Sequence, residues 1–129
     1  MNMDVRSRDK LIFGKYDPNA YLGGIRRFEG MPYSTLSKLI DGDYVDLDEA
    51  QNYAPSISEL YEFASSDPSA YTFDGYVVSP QRSDYRVSID SINRVTSFAQ
   101  AEDVVDFVEF IAGADEFEIN QNGGTAWWD

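Results

Sequence analysis

Two runs of β-forming residues in the middle of the chain lie only five residues apart, and no other feature restricts the fold as much. Tyr71 to Ser79 is dense in strand formers, while Tyr85, Val87 and Ile89 alternate with Arg86, Ser88 and Asp90 at the strand period of two. The residues between them, Pro80 to Asp84, are turn-prone. Strands joined by so short a connection pair antiparallel, so the spacing predicts a central hairpin. Within its first strand, Asp74-Gly75 fits either a bulge or a tighter turn.

The flanks read as short helices with little strand. Leu11-Ile12-Phe13 is a brief apolar run closed by Gly14 and the turn signal Asp17-Pro18-Asn19, which predicts a short strand. The stretch from Gly23 to Gly30 then reads as a glycine-bracketed connection. Pro32 suits the first turn of a helix, and Tyr33, Leu36, Leu39 and Ile40 form one apolar stripe that Asp41-Gly42 ends. Asp46-x-x-Glu49 and Ser56-x-x-Glu59 both have the form of a capping box, predicting two further short helices; Ile57, Leu60, Tyr61 and Ala64 face the core in the second.

Towards the C-terminus, Ser97-x-x-Gln100 offers another capping box, and Ala101, Val104, Val105, Val108, Ile111 and Ala112 keep helical spacing up to Gly113. Asp115 to Asn120 alternates again as a short strand, and Gly123-Gly124 turns the chain towards Trp127 and Trp128. That terminal pair either docks and seals the core or stands exposed as an anchor. No repeat, linker or low-complexity tract divides the 129 residues. The expectation is one α+β domain, residues 1–129, with short N-terminal helices, the central antiparallel hairpin, an amphipathic C-terminal helix and a final short strand.

Composition then removes functions. With no Cys there is neither a disulfide framework nor a thiolate zinc site, and with no His there is no Ser-His-Asp or Cys-His catalysis and no imidazole metal ligand. Gly23-Gly24 lacks both a phosphate-binding lysine and dinucleotide-loop spacing. Lys10, Lys15 and Lys38 each lack the Glu two positions upstream that a restriction-nuclease-like core uses. Among 23 carboxylates no glycosidase-like pair stands out. The chain carries no apolar stretch near membrane-spanning length and no secretory h-region at Met1 to Lys10, which favours the cytoplasm. No cofactor is expected, and the missing motifs weigh against an enzyme.

Charge narrows the partner. The net value of −13 repels nucleic acid phosphates and anionic membranes, so direct binding to either is not expected. The charge is uneven: residues 1 to 38 carry seven bases and four acids, whereas residues 39 to 129 carry three bases and nineteen acids. No base occurs from Thr96 onward. Glu102, Asp103, Asp106 and Glu109 are all acidic on the predicted helix, and Asp115, Glu116 and Glu118 extend the same sign into the strand after it. Repulsion at i, i+3 and i, i+4 costs a few tenths of a kcal/mol per pair, which interspersed Lys or Arg would relieve. These seven acids are the candidate surface for a basic protein partner; the alternative is a face that only keeps the chain in solution.

Asp41, Asp43, Asp46 and Asp48 are candidate ligands for a divalent ion, since alternate acids on a short loop supply hard oxygens. Counted from Asp41, however, the glycine and glutamate of a calcium-binding EF-hand loop fall on Asp46 and Asn52. Asp41 ending one helix, with Asp46 and Glu49 capping the next, explains the same residues.

Arg27-Phe28-Glu29-Gly30, Gln51-Asn52-Tyr53-Ala54-Pro55-Ser56, Gly75-Tyr76-Val77-Val78-Ser79-Pro80 and Asp84-Tyr85-Arg86-Val87 fall within Gly24 to Ile92, about half the chain. This stretch resembles small uncharacterised proteins of bacterial genomes and their mobile elements. The resemblance implies a bacterial accessory protein and brings no activity with it. Three functions remain open: an acidic protein-binding domain, in sharper form a nucleic-acid mimic acting on a DNA-binding protein; a divalent-metal-binding or carboxylate-based enzyme centred on Asp41 to Glu49; and a globular domain whose acidity serves only solubility.

Overall fold

The computed structural model describes residues 1–129 as a single-domain α+β fold. In chain order it contains α1 (Val5–Phe13), β1 (Ile25–Pro32), α2 (Tyr33–Asp41), α3 (Ile57–Ala64), β2 (Tyr71–Val78), β3 (Val87–Arg94), α4 (Ala101–Phe110), β4 (Glu116–Asn120) and β5 (Gly123–Trp127). The five strands form one antiparallel sheet in the order β1-β2-β3-β5-β4. The β2–β3 hairpin forms at its centre.

Side chains alternate across a strand, so register decides which residues share a face. Phe28 and Met31 of β1, Phe73 and Val77 of β2, Val87, Ile89 and Ile92 of β3 and Ala126 of β5 all turn to one side. There they meet Leu36 and Leu39 of α2, Ile57, Leu60 and Ala64 of α3, and Phe107 of α4. Trp128 closes this core and is buried, whereas Trp127 is only partly covered. The other face carries a polar ladder: Asn93 Nδ2 donates to Thr72 Oγ1 (3.2 Å) and Asp74 Oδ1 (3.1 Å), and Thr125 Oγ1 donates to Asn93 Oδ1 (2.7 Å).

The register shifts opposite Asp74-Gly75, but the bulged residue belongs to the partner strand and not to β2. Asp74 pairs with Ser91 and Gly75 with Ile89, leaving Asp90 as the extra residue of β3. The bulge buries Asp90, which Arg27 of β1 grips through both guanidinium nitrogens at 3.0 and 3.2 Å. Glycine is required because a Cβ at position 75 would lie 2.0 Å from the Ser88 carbonyl oxygen and 2.8 Å from the Phe28 ring.

Several elements differ from the sequence expectation. Leu11-Ile12-Phe13 is the end of α1 and not a strand. Asp4 caps that helix by accepting from the Ser7 amide (3.1 Å), and Gly14 ends it in the left-handed region at φ 83°. The fully buried residues of α1 are Arg8 and Asp9, which erases the apolar period by which a helix is recognised. Arg8 Nε donates to Asp9 Oδ1 (2.9 Å), Nη1 to the Val78 carbonyl (3.2 Å) and Nη2 to Tyr21 Oη (2.8 Å), while Tyr21 donates to Asp9. The glycine-bracketed stretch after it is not a connection but mostly β1.

Asp46 and Glu49 start no helix. Asp46 Oδ1 turns to the amide of Asp48 (3.0 Å), and Glu49 is drawn to Ser88 and Arg86. α3, in contrast, carries the full capping box between Ser56 and Glu59. The N-cap of α4 is Gln100, boxed with Asp103, and not Ser97. Of the expected stripe, Val105 and Val108 are 53% and 44% exposed, while Ile111 at the helix C-cap is buried as expected, and Phe107, outside the stripe, enters the core with it. The chain ends in a hairpin of two strands, with Gly123 and Gly124 inside β5 and not at its turn. Ser88 and Asp90 of β3 are both buried, so that strand is covered on both sides near the bulge.

Gly75→Ala should lower stability by about 1–3 kcal/mol, the usual cost of forcing atoms into a filled site. Thermal unfolding checks this, and a midpoint unchanged within about a degree would show that the bulge relaxes around the methyl.

Candidate functional site

The last turn of α3, the start of β2, the end of β3 and the outer side of α4 enclose a cleft of about 600 Å³. Asp103, Asp106 and Glu109 recur every three residues along α4, and so line one wall. Asp67, just beyond α3, faces them, with Phe63, Tyr71 and Phe110 supplying aromatic surface. Arg94 is the one base in the lining.

Arg94 belongs to the structure of the cleft more than to its opening. The side chain is 6% exposed. Its guanidinium carbon lies 5.2 Å from the Tyr71 ring centroid and 4.9 Å from that of Phe98. Its three nitrogens donate to the Thr96 carbonyl (3.2 Å), the Ser97 carbonyl (3.0 Å) and Tyr71 Oη (3.1 Å). No carboxylate lies within ion-pair distance of it. Burial pushes the Tyr71 hydroxyl above its ordinary value; Arg94 opposes that shift, and the charges of Asp103 and Asp67 add to it. Asp106 and Glu109 form no ion pair.

The seven acids singled out in the sequence do not form one surface. Asp103, Asp106 and Glu109 share the cleft, and Asp103 also caps α4 by accepting from the Gln100 amide (3.2 Å). Glu102 is exposed on the first turn of α4 outside the lining. Asp115 accepts from the amide of Asp129 (2.7 Å). Glu116 and Glu118 pair with Trp127 and Thr125, which turns them to the polar face of the sheet, away from α4. Asp67, Tyr71, Arg94, Phe63 and Phe110 were not indicated by the sequence as site residues. Asp67 precedes Pro68 and locally marks only a turn, and nothing local marks Arg94 as the floor of a cleft.

The proposed metal ligands are dispersed. Asp41 ends α2, Asp43 lies 3.5 Å from the N-terminal amine, and Asp46 holds its own turn. No group of three acids is arranged to hold an ion anywhere in the chain. Comparison with protein-family models, curated proteins and solved structures finds no match.

One further polar cluster sits where β5 no longer covers β3. Ser88 Oγ lies 3.1 Å from Glu49 Oε2 and 3.3 Å from Gln51 Oε1; Tyr76 Oη donates to that same Gln51 oxygen (2.9 Å), and Arg86 Nε stands 3.4 Å from Glu49 Oε1. A serine beside a carboxylate has half the form of a nucleophile pair, but Ser88 is fully buried and the cluster holds no imidazole. Its role is to fasten the α2–α3 connection to the sheet. Burial raises the Glu49 carboxyl above its ordinary value, and Ser88 and Arg86 offset this only in part.

An acid with a raised folded-state value stabilises the fold while protonated, and that contribution is lost as pH climbs through the raised value. Glu49→Gln, which keeps an acceptor for Ser88, should therefore raise the melting midpoint at pH 7 and leave it unchanged below about pH 4, where the carboxyl is neutral in both states. A lower midpoint at pH 7 would mean that the Arg86 contact outweighs desolvation.

Proposed function

We propose that this protein is a non-enzymatic binding domain that meets a basic protein surface through the acid-lined cleft of α4. The observation that carries the reading is the uncompensated charge there. Asp106 and Glu109 have no base to pair with, and the single arginine of the cleft is directed into the fold. A face that served only solubility has no need to gather its carboxylates around a concave aromatic surface.

The sharper form of the reading is a nucleic-acid mimic that occupies the lysines and arginines of a DNA-binding protein. Glu116 and Glu118 lie on the opposite face of the sheet, so the acidic strip beside α4 is short. That favours pairing with a few basic side chains over imitation of a long duplex. A bacterial cytoplasmic setting is part of the proposal. No helix is long and apolar enough to cross a membrane.

Partners captured on the immobilised chain at roughly 50 mM salt should be released well below 1 M, where the screening length falls to about 3 Å. A chain carrying Asp103→Asn, Asp106→Asn and Glu109→Gln should capture none of them. In the mimic form, duplex DNA competes the partner off the chain. Capture that survives both high salt and the three substitutions overturns the reading.

A further inference from the structure

Phe63 of α3 and Phe110 of α4 stack face to face, with ring centroids 4.1 Å apart and planes 8° from parallel. Both are only partly buried, and the α4 cleft opens on one side of the pair. A second, shallower depression adjoins the same two rings and is lined by Glu59 and Glu62. The pair is thus the partly covered edge of the aromatic core, where Phe63 also packs on Tyr71 and Phe107, and it forms a ridge with carboxylates on both sides.

The cleft already shows how it holds a guanidinium. Arg94 lies beside the Tyr71 and Phe98 rings and is fastened by neutral oxygens. Asp106 and Glu109, on the same cleft as Phe110, form no ion pair. Carboxylates next to an aromatic face match the chemistry of an arginine side chain, which pairs with the former and stacks on the latter. Lysine, more strongly hydrated and not planar, gains less from the rings.

We propose that the cleft is a receptor for arginine side chains of the basic partner, with Asp106 and Glu109 pairing the charge and the Phe63–Phe110 ridge stacking against it. The proposal rests on the binding reading above and narrows it to a residue type. The probes are blocked tetra-arginine and tetra-lysine peptides, titrated against the whole chain at low salt, with the Phe63 and Phe110 ring resonances followed by NMR.

The arginine peptide should bind about threefold tighter than the lysine peptide and shift both rings. Phe110→Leu should remove that preference, whereas Phe110→Tyr, which keeps a ring, should retain it; thermal melts establish that both variants are folded. Asp106→Asn with Glu109→Gln should weaken the arginine peptide roughly fivefold. Glu116→Gln with Glu118→Gln, on the other side of the sheet, should leave it unchanged. Equal binding of the two peptides, or equal loss with either pair of acid substitutions, would show diffuse attraction and overturn the arginine receptor while leaving the basic-partner reading intact. If partner capture is lost with the acid substitutions at 106 and 109 yet is unaffected by Phe110→Leu, the receptor is likewise overturned and the broader reading stands. Capture indifferent to the acids removes both.

Discussion

The guanidinium of Arg94 is the contact on which the acidic side of the molecule depends. It stands at the end of β3, on the core face opposite Tyr71 and Gly124, and reaches past the strand to hold the carbonyls of Thr96 and Ser97. Those bonds set the course of the chain between the sheet and α4. Without them, Phe98 loses the cation beside its ring and Gln100 no longer enters the helix at a fixed place. Burying an arginine without an adjacent carboxylate is costly unless its guanidinium finds hydrogen-bond acceptors, and here one hydroxyl and two backbone oxygens give each of its three nitrogens one. The result is a cation that shapes a cleft without neutralising its rim.

A similar division runs through four of the other nine bases. Arg8 is enclosed with Asp9 and Tyr21, Arg27 grips Asp90, and Arg82 and Arg86 converge on Asp84. Each ties together elements distant in sequence or fixes a turn. Arg8 and Arg27 of the mildly basic N-terminal segment are therefore built into the fold, whereas Lys10 and Lys15 stay exposed, and no base of the segment forms an ion pair with the acids of α4. Because no base follows Arg94, the last 35 residues of the chain have nothing of their own with which to offset Asp106, Glu109, Glu116 and Glu118.

What the sequence revealed follows the locality of the interactions concerned. α2 and α3 were readable because each buries a single apolar stripe, Leu36 with Leu39 and Ile57 with Leu60 and Ala64, between caps or breakers close in sequence. The hairpin was readable because its pairing is local. α1 was not, since its buried side chains are an arginine and an aspartate whose partners, Tyr21 and Val78, lie well outside the helix. Glu49 misled because its capping pattern is local while its partner Ser88 is 39 residues away. For the site, the acids of α4 were evident from their spacing, but the cleft exists only where α3, β2 and β3 come together, and no window of sequence contains Asp67, Arg94 and Phe110 at once.

The sheet itself decides how much acidic surface can act together. Period-two alternation in β4 sends Ile119 to the core side and Glu116 and Glu118 to the far side, so acids adjacent in sequence are separated by the thickness of the sheet. On α4 the helical repeat has the opposite effect, bringing Asp103, Asp106 and Glu109 onto one wall. At physiological ionic strength screening acts over about 8 Å, so carboxylates on one wall reinforce one another far more than those across the sheet. Net charge alone makes the whole chain attractive to any cation; the geometry of α4, with aromatic rings at its foot, concentrates carboxylates on one wall of a cleft, which is the arrangement the proposed arginine receptor depends on.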